Sequence, residues 1–204
     1  MDMLNKPKMS VGRRRVLAMA GAALAFAGVG PVLAEAKKVK LGFVYAANNI
    51  DAFVLMADGG KAVAMLDPNV EVLTAAPDMF DPQREAALFG PIAQTQRDGI
   101  VLQSLVPGPI ARAVMAATGA GTPMVAIDAP PPDGAGVGLY ITADNISIGA
   151  QLAEKVLALV PATAKGTILI GNTGVGIPPL EMRVKGMVQK IGELRPDLKI
   201  VGPV

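Results

Sequence analysis

The sequence predicts an α/β protein with two Rossmann-like lobes built on parallel sheets. Three observations carry that prediction. Short apolar runs recur along the chain, and most are separated by one stretch of helical spacing, the rhythm of βαβ units. Some runs are apolar almost without interruption, as in "GTILIG" at residues 166–171, which suits strands covered on both faces. Several helical stretches also open on residues that cap helices.

In chain order, strands are predicted over 38–45, 70–75, 99–104, 123–128, 137–142, 167–171 and 198–201. Helices are predicted over 51–66, 82–97, 108–119, 145–160 and 178–195. Asp81 precedes Pro82, a cap followed by a proline in the first turn. Pro91 falls inside the same helical pattern and is expected to kink or split it. The run "DAPPPDGAGVG", 128–138, is a loop closely flanked by two strands rather than a flexible linker. Asp144 or Asn145 caps the helix "ISIGAQLAEKVLALV". The segment "TADN", 142–145, hands a fifth strand to a fresh βαβ series, so the domain boundary is placed there. The expected organisation is an export signal over 1–36, a first lobe over 37–143 and a second lobe beginning at 144.

The N-terminus carries a basic segment, "MDMLNKPKMSVGRRR", followed by "VLAMAGAALAFAGVGPVLA", an apolar run of small residues. Val32-Leu33-Ala34 and Ala34-Glu35-Ala36 both fit small-x-small cleavage. The run is long enough to span a bilayer, but its Ala/Gly content, Pro31 and the cleavage pattern favour an export signal leading to the periplasm. Arg13-Arg14 followed by Val16-Leu17 resembles a twin-arginine signal, and Sec export is equally compatible. Without residues 1–34 the chain loses Lys6, Lys8, Arg13, Arg14, Arg15 and Asp2. The net charge then moves from +2 to −2. The basic balance belongs to the leader, and no nucleic-acid partner is implied.

The chain has no His and no Cys, which removes a Cys/His nucleophile pair and the usual structural zinc sites. No metal and no cofactor is expected. "GNTGVG", 171–176, is a glycine-rich turn before a helix, but its spacing is not that of a phosphate loop and Pro178-Pro179 follow. In open parallel sheets ligands bind beyond the carboxyl ends of the strands. The candidates there are Asn48, Asn49 and Phe53 after the first strand, Gln103 and Ser104 after the third, and Asp128 after the fourth. The first strand of the second series adds Asn172, next to Thr173, and the helix after it adds Arg183. Amides, a carboxylate, a guanidinium and an aromatic suit a neutral polyhydroxy solute. Hydroxyls donate to Asp and accept from Arg or amide groups, and a ring covers a C–H face. Asp144 and Asn145 are read as hinge and cap residues.

Four segments in this order resemble the periplasmic sugar-binding proteins of the ribose-binding type. They are "NNIDAF", "VAIDAP", "ITADNISIG" and "EMRVKGM", and the resemblance covers residues 38–204. Asn49, Phe53, Asp128, the Arg183-x-x-Gly186 pattern and the Asp144-Asn145-x-x-x-Gly149 crossover match the family's pattern. Ala129 stands where the family often has Arg, and Phe53 replaces a pair of adjacent aromatics. Family members also continue well past the point reached at Val204. The resemblance therefore implies a type I periplasmic binding protein fold with an incomplete second lobe.

It further implies a monomeric, non-catalytic solute-binding component of an ABC importer. Such a protein closes on a sugar or polyol by hinge motion and presents it to a permease. A periplasmic receptor docking on a chemosensor would have the same sequence features. A truncated remnant of lowered affinity is a further alternative. An enzyme on the same sheet would have only Asp128 and Asp144 as a carboxylate pair.

Overall fold

The computed structural model describes residues 37–204. The export-signal reading falls on residues 1–36, outside the described residues. The elements follow in the order β1 (Val39–Tyr45), α1 (Asp51–Ala64), β2 (Val70–Ala75), α2 (Pro82–Thr95), β3 (Gly99–Gln103), α3 (Ala111–Gly119), β4 (Met124–Ile127) and β5 (Leu139–Ile141). Then come α4 (Asn145–Leu159), β6 (Thr167–Leu169), α5 (Pro178–Leu194) and β7 (Lys199–Val201). Each lies inside its predicted span and is shorter by up to three residues at an end. Pro123, lacking an N–H, stands just outside β4.

The first sheet has the order β2-β1-β3-β4-β5, and every pairing is parallel. β1 therefore lies inside the sheet, and its carboxyl end meets that of β3 through the register Tyr45 to Gln103. Side chains alternate across the sheet. Val44, Ile100, Leu102 and Met124 pack on one side with Phe89 and Ile92 of α2 and Val114 of α3. Phe43 and Tyr45 pack on the other with Phe53 and Ala57 of α1. The two rings of Phe43 and Tyr45 meet edge to face at 5.7 Å.

α2 starts as its sequence demands. Asp81 Oδ1 accepts from the amides of Gln83 and Arg84, both at 3.0 Å, and Pro82 occupies the first turn. The helix is not split at Pro91. Pro91 and Ala87, whose carbonyl loses its amide partner, both lie on the exposed face, where water can take over that bond. The loop 128–138 is tied down, with the Thr118 hydroxyl donating to the Ala135 carbonyl at 2.6 Å.

The second sheet comprises β6 and β7, again parallel. Ala153 of α4 and Ile191 of α5 pack with Ile170 beneath it. α4 and α5 approach until their backbones touch. A Cβ added at Gly149 would stand 1.9 Å from the Arg183 carbonyl oxygen, and one at Gly186 would stand 2.1 Å from that of Ile146. Only glycine fits either position.

Candidate functional site

Asp128 ends β4 and is the one non-glycine residue with positive φ among the described residues, at 67°. That left-handed conformation costs an L-residue about 1 kcal/mol or more, least for Asp and Asn. Several bonds hold it. The Asp128 amide donates to the Ile141 carbonyl at 2.9 Å. Its own carbonyl accepts from Tyr140 Oη at 3.1 Å and Thr142 Oγ1 at 2.7 Å. Its Oδ2 accepts from Gln103 Nε2 at 3.1 Å. Gln103 is fully buried, and its Oε1 accepts from the Ala46 amide at 3.0 Å. One side-chain amide thus joins the ends of β1 and β4 through β3.

Arg183, in the second turn of α5, donates Nε to Asn145 Oδ1 at 2.7 Å. Asn145 is buried at the start of α4, and its Nδ2 donates to the Ala143 carbonyl at 3.1 Å and to Thr142 Oγ1 at 3.4 Å. Thr142 in turn donates to Asp128. A hydrogen-bonded path therefore runs Asp128–Thr142–Asn145–Arg183 through the crossover. Asp144 caps α4 by accepting from the Ser147 amide at 3.0 Å and from its hydroxyl at 2.8 Å. Those bonds hold the carboxyl below the usual range, the amide contributing most.

Asp128 and Arg183 line one cavity of about 460 Å³. From the first sheet and its helices come Ile50, Ala52, Phe53, Met56, Phe80 and Leu105 beside Asp128. Thr173, Ile177, Pro179 and Leu180 join Arg183 from the segment after β6 and the start of α5. A groove between α2 and α3, about 320 Å³, lies among Phe89, Ala93, Arg97 and Ala117, away from the strand ends. The larger cavity is the candidate site because it gathers a carboxylate, a hydroxyl and a guanidinium beyond the carboxyl ends of the strands.

Three of the eight sequence candidates, Phe53, Asp128 and Arg183, line this cavity. The others stand elsewhere. Asn48 accepts from the Tyr45 hydroxyl and donates Nδ2 to the Ala76 carbonyl at 3.2 Å. Asn49 is exposed and outside the lining. Gln103 supports Asp128 from behind. Asn172 turns its Oδ1 back to the Gly174 amide at 3.3 Å, while its neighbour Thr173 reaches the cavity.

Ser104 is buried, and its hydroxyl makes no hydrogen bond. Neither does the carboxyl of Glu85, which is 1% exposed in the first turn of α2. Burial pushes Glu85 up to about 7, opposed in part by the neighbouring Ser104 hydroxyl. Asp144 faces Ser147 and is absent from the lining, so the cavity does not assemble the Asp128 and Asp144 pair.

Sequence reasoning missed Phe80, Met56, Leu105, Ile177 and Leu180. Phe80 had a readable signal, since an apolar residue just before a helix cap commonly packs down on the entering chain. The others look like ordinary core positions until the fold brings them to one wall.

A family model described as a periplasmic binding protein domain matches residues 41–204. Among curated proteins, none matches the chain's sequence significantly. Solved structures are similar in fold. One is an ABC transporter solute-binding protein from Agrobacterium vitis with bound D-fucose, at TM-score 0.72 and 20% identity, covering 80% of this chain and 57% of that one. A periplasmic sugar-binding protein of an ABC sugar transporter from Legionella pneumophila gives TM-score 0.68 and 20% identity, with 80% and 60% covered. A structure described as the XylFII-LytSN complex gives TM-score 0.66 and 22% identity, with 80% and 58% covered. The chain thus spans less than two thirds of the length of each.

Proposed function

The chain belongs to the periplasmic binding protein domain family, and from that membership we propose that it binds a small sugar or polyol as the solute-binding component of an ABC importer. The observation that carries this reading is the convergence of Asp128, Thr173 and Arg183 on one cavity with Phe53 and Phe80. A carboxylate accepts from hydroxyls, a guanidinium donates to them, and aromatic faces cover C–H surface. The left-handed backbone of Asp128 supports a functional reading, because strain of this kind persists where a side chain must be aimed.

The path through Thr142 and Asn145 supports closure about the crossover 142–145. A bound solute would bridge Asp128 and Arg183 and favour the closed form, which a permease then reads. The role is non-catalytic, and the chain acts after export to the periplasm. A receptor role toward a sensor partner is the second reading, favoured by the fold similarity to the XylFII-LytSN structure.

Isothermal titration of the full chain against a panel of pentoses, hexoses, deoxy sugars and polyols tests the proposal. Saturable heat with at least one solute, lost in Asp128→Ala and Arg183→Ala, is expected. Silence across the panel overturns it.

A further inference from the structure

We propose that Glu85 is a positioning residue of the cavity: by losing or taking up a proton it moves the end of β3, and with it the Gln103 that holds Asp128. The proposal deepens the solute-binding reading and rests on it only for the use of the cavity. Its test needs no solute, so the two can fail separately.

Glu85, Phe89 and Ile92 recur at i, i+4 and i+7 and form the buried face of α2. Phe89 and Ile92 share one cluster with Leu102 of β3. Side chains alternate along a strand, so Ser104 falls on the side of Leu102, toward α2, and Gln103 on the other. The Ser104 hydroxyl thereby neighbours the Glu85 carboxyl, yet none of these three oxygens has a hydrogen-bond partner. Packing does not explain a buried acid held this way, because an apolar side chain of similar volume would cost less there.

The chain neighbours of Ser104 belong to the cavity. Gln103 donates Nε2 to Asp128 Oδ2 at 3.1 Å and accepts from the Ala46 amide at 3.0 Å. Leu105 lines the cavity itself. Residues 103–105 thus connect a buried acid to the carboxylate that a solute would meet.

Burial pushes the Glu85 carboxyl up to about 7, opposed in part by Ser104. Among the described residues no charged group faces it. Lys40 of β1, Glu71 of β2 and Arg112 of α3, on the elements packed against α2, are all exposed. So are Asp78, Asp81 and Arg84 around the start of the helix. Tyr45 packs across the sheet with Phe43 and Phe53, and β3 has no titratable side chain. The ionised acid must therefore gain donors, since a buried charge without hydrogen bonds is strongly unfavourable. The Ser104 hydroxyl is the side-chain donor beside it. Drawing on residue 104 shifts both of its neighbours. The cavity is assembled with Glu85 protonated and loosened when it ionises.

Amide NMR of the full chain from about pH 5 to pH 9 tests this. In the parent, the Gln103 side-chain amide and the Leu105 backbone amide are expected to shift together, with a midpoint of about 7. Both are expected to stay still in Glu85→Gln, which cannot ionise. Ser104→Ala removes the group that favours the ionised form, so the midpoint is expected to rise above that of the parent. A purely structural Glu85 would move neither signal with pH. Still signals in the parent overturn the proposal, as does a shift that survives in Glu85→Gln. An unmoved midpoint in Ser104→Ala also overturns it, and that variant decides alone if Glu85→Gln fails to fold.

Discussion

Arg183 reaches Asn145 from a helix that touches its neighbour backbone to backbone. The 2.7 Å bond between Nε and Oδ1 exists because Gly149 and Gly186 let α4 and α5 close on each other. Packing thus sets where the guanidinium stands. Asn145→Ala would remove the acceptor, and with it the Nδ2 bonds to Ala143 and Thr142, while leaving the Asp144 cap of α4 in place. The charge-assisted bond is worth about 1.5–3 kcal/mol. A comparable loss of stability in urea melts is expected, together with weaker solute binding as Arg183 loses its aim. Unchanged affinity in Asn145→Ala would show that the bond does not orient the guanidinium.

Gly149→Ala and Gly186→Ala test the helix contact directly. Either new methyl would stand about 2 Å from a carbonyl oxygen, well inside van der Waals contact. The helices must separate, at a cost of about 3 kcal/mol or more. A fall in denaturation midpoint of that size is expected for each, and a midpoint within experimental error of the parent would contradict the geometry.

Asp128→Gly separates backbone from side chain. Glycine adopts the φ of 67° without penalty, so relief of about 1 kcal/mol is expected on that account. The carboxylate that receives Gln103 is lost at the same time. The lost bond to buried Gln103 outweighs that relief, so a net loss of about 1 kcal/mol is expected, less than in Asp128→Ala, which keeps the strain, while binding disappears in both. Retained binding in Asp128→Gly would mean that Asp128 is chiefly a structural residue.

Glu85 predicts a pH dependence of stability. Its carboxyl is pushed up to about 7 in the folded chain against an ordinary value of 4.5, and burial is the main cause. Below 4.5 both states are protonated and the group contributes nothing. Between 4.5 and 7 the unfolded chain releases its proton first, so stability falls as pH rises. The total is about 3 kcal/mol, complete once the folded carboxyl has ionised. Chemical denaturation from pH 4 to 8 should show this decline in the parent relative to Glu85→Gln, which cannot ionise. Parallel curves for the two proteins would rule it out.

The order of strands and helices was legible because it depends on local pattern: β1 to β4 alternate with helical stretches, one of them capped by Asp81, and the crossover at 142–145 carries its own capping signal. Pro91 misled because its cost depends on which way the helix faces, and that is a tertiary property. The site was partly legible for a similar reason. Position after a strand places Asp128 and Thr173 beyond the carboxyl ends of strands in two different sheets, but it does not say where a side chain turns. Asn48 and Asn172 turn back to local partners, as short amides do in tight turns. The apolar wall was hidden because Leu105 and Leu180 differ from core leucines only in what the fold leaves open beside them.

Asp128 also bears on how quickly a guest could leave. Its amide, carbonyl and one carboxylate oxygen all have partners before any solute arrives. The residue has surrendered its conformational freedom during folding, so an arriving molecule freezes little more than itself. Preorganisation of this kind favours long residence over fast capture, and stopped-flow traces should register the difference among solutes in dissociation rates rather than in association.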